Sequence, residues 1–197
     1  NKHTQTTTSL FNFENYMMHT EPCMSTKISS ISKLCNEIAN ENWASVIQEC
    51  ETNPRQAQIS YLQDSWCNGE KSANILPIHQ IAASKTPPKR ALEAVISAYP
   101  KGLDAQESSF QRLPIHVACR QSDPSVHTVN TFLEHNLNGA QEVDKYYRIP
   151  LHYACFSGAK VDVICALLDA YPDGVKCRDK TGWLPLHVAC SAGAPVK

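Results

Sequence analysis

The sequence has little net charge. Its 18 Lys and Arg residues nearly balance its 19 Asp and Glu residues, which leaves a formal net charge of −1 at pH 7. A chain with this balance has no basic field to attract nucleic acid or an anionic membrane surface. Long apolar runs are also missing, since no stretch approaches the roughly 18 apolar residues of a membrane-spanning helix. We therefore expect no nucleic-acid partner and no direct membrane insertion.

Several motifs of enzymes are missing as well. The sequence contains no phosphate-binding loop, no Gly-x-Ser-x-Gly turn and no paired carboxylates at a catalytic spacing. We expect no enzymatic activity, no cofactor and no small-molecule substrate.

The cysteines do not form a disulfide framework. Nine are present, but they lack the tight spacing of a small secreted domain, and three of them recur at one position of a repeat. A free cysteine behaves as a small apolar residue. No Asn-x-Ser/Thr glycosylation site occurs either. These features predict reduced thiols in an intracellular protein, in the cytoplasm or nucleus, with an organelle as a further option.

What the sequence does contain is a repeated heptapeptide. Leu113-Pro114-Ile115-His116-Val117-Ala118-Cys119 returns twice in close copies and once in a looser one, and the four histidines are 37, 36 and 35 residues apart. A nearly fixed period of this size is typical of stacked repeat proteins. Because proline fits the first position of a helix, each Pro-x-His predicts a helix start. The structural residues of the repeat are Pro77, His79, Pro114, His116, Pro150, His152, Pro185 and His187.

A second signal keeps the same register. An apolar stripe with helical spacing follows each of the first three copies and ends at Tyr-Pro or at Asn-Leu-Asn-Gly. Proline stops a helix, and glycine is expected to supply a left-handed cap. Turn residues such as those of 179–183 then precede the next proline. The unit is therefore predicted to be helix, turn, helix and exposed turn.

This pattern resembles the ankyrin repeat. The Pro-Leu-His-x-Ala part of the ankyrin opening is matched at residues 114–118, 150–154 and 185–189, and its Asp-x-x-Gly turn at residues 179–182. The resemblance covers residues from about 75 to 197 and extends weakly back to about residue 28. It implies an all-α fold, an ankyrin-like solenoid of stacked helix-turn-helix repeats with projecting hairpin-like loops. It also implies a concave face that binds other proteins, and histidines that satisfy backbone groups between turns.

The chain is expected to divide into a leader and one repeat domain. Residues 1–25 are polar and then aromatic, which is typical of either a disordered segment or one that docks on a partner. Residues 26–197 form the repeat domain, with units at 26–74, 75–111, 112–147, 148–182 and 183–197. Unit 26–74 is a divergent cap whose first helix starts after Ser25 or Thr26. The incomplete last unit predicts that the natural chain continues beyond Lys197.

The connection between the first two units has its own pattern. Apolar residues alternate at Ala57, Ile59 and Tyr61, and Asn68-Gly69 follows, which together predict an extended hairpin. A long loop of this kind is either a binding element or a tolerated insertion.

The His and Cys residues of the repeat allow two interpretations. Three of the four His residues lie three positions before a Cys on a predicted helix, and the pairs His116 and Cys119, His152 and Cys155, and His187 and Cys190 each have the residue types of a zinc site. A four-ligand site needs residues that converge, which separated units do not provide, so the structural interpretation is favoured and no metal is expected.

Partner-binding residues are predicted at the turns and the ends of the first helices, where the core does not need the side chain. Arg, Tyr and Trp are the types enriched at binding hot spots. The candidates are Arg112, Arg120, Tyr146, Tyr147, Arg148, Phe156, Asp179 and Trp183. The alternative for Tyr147 and Trp183 is that they only cover neighbouring turns.

Together these patterns predict a non-catalytic scaffold or adaptor that binds another protein through its concave face and loops. Two alternatives stay open. The repeats are the regulatory region of a larger enzyme, such as a kinase or ubiquitin ligase, or an accessory subunit of a large organelle assembly.

Overall fold

The computed structural model describes residues 32–66 and 71–193. This part of the chain is mostly helical, with nine α-helices and one small hairpin. The helices are α1 (Lys33–Ala39), α2 (Trp43–Thr52), α3 (Pro77–Ala82), α4 (Lys89–Ala98), α5 (Pro114–Cys119), α6 (Val126–His135), α7 (Pro150–Phe156), α8 (Val161–Ala170) and α9 (Pro185–Ser191). The strands are β1 (Tyr61–Trp66) and β2 (Lys71–Ile75).

Four helices begin as the repeated prolines predict. In α3, α5, α7 and α9 the proline is the first helical residue, and the residue before it is extended. Proline has no N–H that the first turn would leave unbonded, and its ring fixes φ close to the helical value. The four helices are six or seven residues long, in agreement with the breaks that follow them in the sequence.

The longer helices α4, α6 and α8 end at Tyr99, Asn136 and Tyr171, as expected from the sequence. A short 3-10 turn follows each, at Pro100–Asp104, Leu137–Ala140 and Pro172–Lys176. The predicted left-handed glycine caps are wrong. Positive φ among the described glycines occurs only at Gly158, Gly182 and Gly193, all in other turns.

The glycines after the longer helices serve close packing instead. A Cβ on Gly102 would lie 3.2 Å from Cγ2 of Ile78, and one on Gly174 would lie 3.1 Å from Cδ1 of Ile149. The missing side chain therefore lets the 3-10 turn lie directly on residues at the start of a short helix.

A hairpin connects the first two helix pairs. Strands β1 and β2 are antiparallel, with Tyr61 opposite Ile75 and Gln63 opposite Ala73. The predicted hairpin is confirmed, but the strand starts at Tyr61, since residues 54–58 form a 3-10 turn instead of the expected strand. The proposed turn at Asn68-Gly69 lies outside the described residues. Tyr61, Trp66, Ala73 and Ile75 are buried, so the hairpin belongs to the core.

The helices form two layers. Helices α1, α3, α5, α7 and α9 pack side by side in the first layer, each against the next, and α2, α4, α6 and α8 do the same in the second. Each short helix of a pair also packs on its longer partner, as α5 does on α6. Because contacts run between neighbours along the sequence, one apolar core extends continuously between the layers.

Polar side chains link neighbouring units within this arrangement. Gln80 of α3 donates to the carbonyl of Cys35 at 3.0 Å, and Ser157 after α7 donates to the carbonyl of Cys119 at 3.0 Å. Cys119 is the last residue of α5, so its carbonyl has no partner within the helix, and the Ser157 hydroxyl satisfies it.

The first described helix has a side-chain cap. Helix α1 starts after Ser32, whose hydroxyl accepts from the N–H of Cys35 at 3.3 Å. The predicted cap at Ser25 or Thr26 and the leader 1–25 lie outside the described residues.

Candidate functional site

Three short turns connect successive helix pairs, and each precedes a short helix in the sequence, α5, α7 or α9. We call residues 107–112 tip 1, residues 144–148 tip 2 and residues 179–183 tip 3. In each tip the backbone N–H of the first residue donates to the carbonyl of the last, at 2.9–3.0 Å. Each tip is thus closed on itself and has a fixed shape.

An acidic residue at the start of each tip holds the turn together. The Asp179 carboxylate accepts from the N–H of Thr181 at 2.8 Å, from its hydroxyl at 2.6 Å and from the N–H of Trp183 at 3.0 Å. Asp144 accepts from two backbone N–H groups of tip 2 in the same way. A side chain that bonds the backbone two residues later is the usual way in which aspartate fixes a turn.

Tip 1 has one more residue and uses Glu107, whose longer side chain reaches further. Its carboxylate accepts from the N–H of Ser109 at 2.7 Å, from the N–H of Phe110 at 2.9 Å and from Nε of Arg112 at 3.0 Å. Burial alone would raise the pKa of Glu107, but the Arg112 guanidinium and the Ser109 hydrogen bonds outweigh it and hold the pKa below its usual value.

Backbone hydrogen bonds join the tips to one another. The N–H of Lys145 donates to the carbonyl of Phe110 at 2.9 Å, and the N–H of Lys180 donates to the carbonyl of Tyr146 at 2.8 Å. The N–H of Ser108 donates to the carbonyl of Asn74 in β2 at 3.3 Å, and the Asn74 N–H donates to the Ser108 hydroxyl at 2.8 Å. The hairpin and three tips therefore form one connected row.

Three of the predicted partner-binding residues lie inside this row. Arg112, Arg148 and Asp179 are only 2%, 3% and 5% exposed. Nε of Arg148 donates to the Asp179 carboxylate at 3.4 Å, an ion pair between tips 2 and 3, and Arg112 pairs with Glu107 within tip 1. The prediction that these three side chains contact a partner is wrong, because a buried charge needs its counter-charge inside the protein.

The two arginines also lie over aromatic rings of their own tips. The guanidinium carbon of Arg112 is 4.5 Å from the ring centre of Phe110, and that of Arg148 is 5.4 Å from the ring centre of Tyr146. Stacking of this kind orients the ring as well as the cation.

A tyrosine anchors tip 2 to the core. Tyr153 on α7 is buried, and its hydroxyl donates to Asp144 at 2.5 Å. Burial is the main reason that the pKa of Tyr153 lies well above its usual value, so the hydroxyl keeps its proton. This bond was not predicted from the sequence.

The repeated histidines connect each helix start to the turn that follows its unit. Nδ1 of His116 accepts from the N–H of Leu113 at 3.1 Å, so Nε2 carries the proton of the neutral ring. Nε2 donates to the carbonyls of Glu142 at 3.0 Å and Arg148 at 3.1 Å. His79 and His152 bond in the same manner to Ala105 and Trp183, whereas His187 at the last helix is exposed. The resemblance implied this role, and it is confirmed for His79, His116 and His152.

Burial keeps these rings neutral. It lowers the pKa of His79 and of His116 to about 4, and it also lowers the pKa of His152. Both nitrogens of each buried ring are occupied by backbone groups.

Two of the cysteines that follow a repeat histidine are removed from solvent, since Cys119 is buried and Cys155 is half-buried. Burial raises the pKa of Cys119 well above its usual value and that of Cys155 to about 11. A thiol in this state is a poor nucleophile and a poor metal ligand. Among the described residues, no group of three or more His, Cys, Asp or Glu side chains is arranged to hold a metal ion.

The other predicted residues lie at the surface or close to it. Tyr147 is 58% exposed, and Arg120, Tyr146, Phe156 and Trp183 are half-buried. Arg120 follows α5 and Phe156 ends α7, so both lie at the same end of neighbouring first-layer helices. Tyr146, Tyr147 and Trp183 lie in tips 2 and 3.

The predicted partner-binding residues leave out the lysine at the second position of tip 2 and of tip 3. Lys145 and Lys180 are exposed, and Nζ of Lys180 lies 6.0 Å from the ring centre of Tyr146. The signal was present, because Asp-Lys occurs at 144–145 and again 35 residues later at 179–180. We call Lys145, Tyr146, Tyr147, Lys180 and Trp183 the tip face.

Comparison with known proteins adds no assignment. No protein-family model matches the chain, and a search of curated proteins finds no match either. None of the helices in the described part has the length and apolar character that crossing a membrane requires.

Proposed function

We propose that the protein is a non-catalytic scaffold of the ankyrin-repeat type that binds another protein through its tips and the adjoining first helix layer. The main support for this proposal is the row of tips. Backbone hydrogen bonds join the tips, so the side chains of the tip face lie at fixed positions. Binding to a rigid array loses little conformational entropy on the protein side.

The repeat assignment is supported by features that recur in register. Proline starts four helices, a histidine links three of them to the turn that ends the unit, and helices of neighbouring pairs pack in two layers. We propose that these pairs form a solenoid whose first layer lines the concave side.

The proposal of a binding function without catalysis rests on the hydrogen-bond partners of the recurring histidines and tip carboxylates. The buried histidines bond to backbone, and the tip carboxylates bond to N–H groups and arginines within the turns. These groups stabilise the fold. The exposed side chains are what differs from one tip to the next, and they are the groups that a partner would contact. We further propose an intracellular location, because Cys35, Cys50 and Cys119 serve as buried apolar residues.

Site-specific photo-crosslinking tests the binding surface. A photoreactive residue is placed at Tyr147 in tip 2 or, as control, at Val161, which is 70% exposed on α8 in the second layer. In extracts of the source cells we expect a discrete crosslinked protein from position 147 and none from position 161. Equal crosslinking from both positions, or none from 147, would contradict the proposed surface.

A further inference from the structure

The exposed charge of the tips is positive although the chain as a whole is not. Tips 1 to 3 contain four basic and three acidic side chains, a net charge of +1, against −1 for the chain. All three acids are buried, whereas Lys145 and Lys180 are exposed. Of the flanking charges, Arg178 directly before tip 3 and Glu142 two residues before tip 2 are also exposed. A molecule that approaches tips 2 and 3 therefore meets ammonium and guanidinium groups, while the carboxylates of the tips lie behind them.

One residue of this surface has an unfavourable backbone. Tyr147 has φ of 58°, in the left-handed region, and the equivalent residue of tip 3 is Gly182 at φ of 85°. Left-handed φ costs energy for a residue with a Cβ and not for glycine. The Tyr147 side chain is 58% exposed, so burial offsets only part of that cost.

Tip 1 provides the comparison. Gln111 also has φ of 58° at the same position of its tip, but it places an exposed amide there instead of an aromatic ring. The strained position is thus common to the tips, and the aromatic ring is particular to tip 2.

We propose that tips 2 and 3 bind an acidic, extended protein segment. Its carboxylates pair with Lys145 and Lys180, and its apolar side chains pack on Tyr147 and Trp183. This inference rests on the proposed function and names the chemistry of the partner. The two lysines occupy the same position of adjacent tips, and neighbouring units of packed helices lie about 10 Å apart. A segment in the extended polyproline II conformation has three residues per turn and rises about 3.1 Å per residue. Acids three positions apart then lie on one face, about 9 Å from each other, and match both lysines.

The test uses purified protein and fluorescein-labelled peptides of twelve residues. The probe repeats Asp-Leu-Ser four times, and matched peptides carry Asn or Lys in place of Asp. Fluorescence anisotropy is expected to show binding of the Asp peptide at least tenfold tighter than of the Asn peptide, with an affinity that falls as salt is raised. Equal affinity for the Asp and Asn peptides would overturn the proposal.

Charge reversal locates the site. The Lys145→Glu/Lys180→Glu variant is expected to bind the Asp peptide at least tenfold more weakly. The control Lys85→Glu/Arg90→Glu changes the net charge equally, at exposed positions near the turn between α3 and α4, and is expected to change affinity less than twofold. Similar losses in both double variants would show a general charge effect and refute the site.

A glycine pair separates binding from folding. Tyr147→Gly is expected to weaken binding of the Asp peptide at least fivefold without lowering the unfolding temperature, and Gln111→Gly to leave the affinity unchanged. An unchanged affinity of the Tyr147→Gly variant for the Asp peptide would refute the proposed contact with the Tyr147 ring.

Two outcomes distinguish this inference from the function on which it rests. Tip-specific crosslinking to a partner, together with no preference for the Asp peptide, would refute the acidic segment and leave the scaffold. Tighter binding of a twelve-nucleotide single-stranded DNA than of the Asp peptide would refute both the acidic segment and the protein-binding scaffold, because the lysines would then bind phosphate groups.

Discussion

Acid should unfold this protein through its buried histidines. His79 and His116 have a pKa of about 4 in the folded protein, against about 6.5 for an exposed histidine. The unfolded chain therefore binds more protons than the folded one between pH 6.5 and pH 4. The stability that the neutral rings contribute is complete above pH 6.5 and is lost as the pH falls towards 4.

The size of the effect follows from the same two values. Lowering the pH from 7.5 to 5 favours the unfolded state by about 2 kcal/mol for each of the two rings, or about 4 kcal/mol together. His152 adds to the loss, since burial lowers its pKa as well. A loss of this size is a large part of the roughly 5–15 kcal/mol by which domains are stable. Glu107 does not contribute in this window, because its pKa is lowered from 4.5.

Urea unfolding followed by circular dichroism at several pH values between 5 and 7.5 measures the loss. The His116→Gln variant is expected to be less stable at pH 7.5 and to show a pH dependence smaller by about 2 kcal/mol. The control His187→Gln removes the exposed histidine at the same motif position, and the dependence should stay as it is. An unfolding free energy that is the same at pH 5 and pH 7.5 would refute the assignment of buried, neutral rings.

Three further predictions concern the turns. Asp179→Ala leaves Arg148 buried without its counter-charge and should lower the unfolding free energy by about 3–5 kcal/mol, and Arg148→Met in the same chain should recover part of it in urea unfolding. Gly174→Ala should lower the thermal midpoint, because the new Cβ lies 3.1 Å from a side-chain atom, whereas Gly139→Ala, with 3.5 Å, should leave it equal or higher. Tyr153→Phe removes a buried donor to a carboxylate and should cost about 1–3 kcal/mol in urea unfolding, and an unchanged midpoint would contradict that bond.

Much of the helical layout could be predicted from local rules. Proline fits the first position of a helix, as Pro114 does, and Pro100 cannot continue the helix that ends before Tyr99. The hairpin at 61–75 followed from alternation and turn residues, although the 3-10 turn before it did not. Such features depend on residues that are adjacent in the sequence, and for this reason they can be predicted from it.

The binding candidates were predicted less well, because orientation depends on residues far away in the chain. Arg148 is buried because Asp179 accepts from it across 31 residues, and no local pattern around Arg148 indicates this bond. Arg112 has its acid only five residues earlier, and the recurrence of an acid at 107, 144 and 179 would have indicated closed, carboxylate-centred turns. The residue type of Arg112 and Arg148 predicted binding hot spots, but both side chains are buried and do not reach the surface.

The glycines that follow the longer helices show the same limit. Gly102 and Gly174 follow a helix end as a capping glycine does, and the sequence offers no way to see the short-helix side chains that press on them. Only the three-dimensional contact distinguishes a glycine needed for its φ from one needed for its small size.

The histidine bridges also bear on how the gene can change in length. The bridges of His116 and His152 reach the first residue of the next unit, so residues 148–182 could be excised as a block. Tyr147 would then precede Trp183-Leu184-Pro185-Leu186-His187, and the ring of His116 would meet the carbonyl of Trp183 where it now meets that of Arg148. The backbone hydrogen bonds of the tip have counterparts at the new junction, whereas Val188 and Ala192 cannot replace the bonds from Tyr153 to Asp144 and from Ser157 to the carbonyl of Cys119. Loss of a whole unit therefore keeps the repeat pattern and costs these two side-chain bonds.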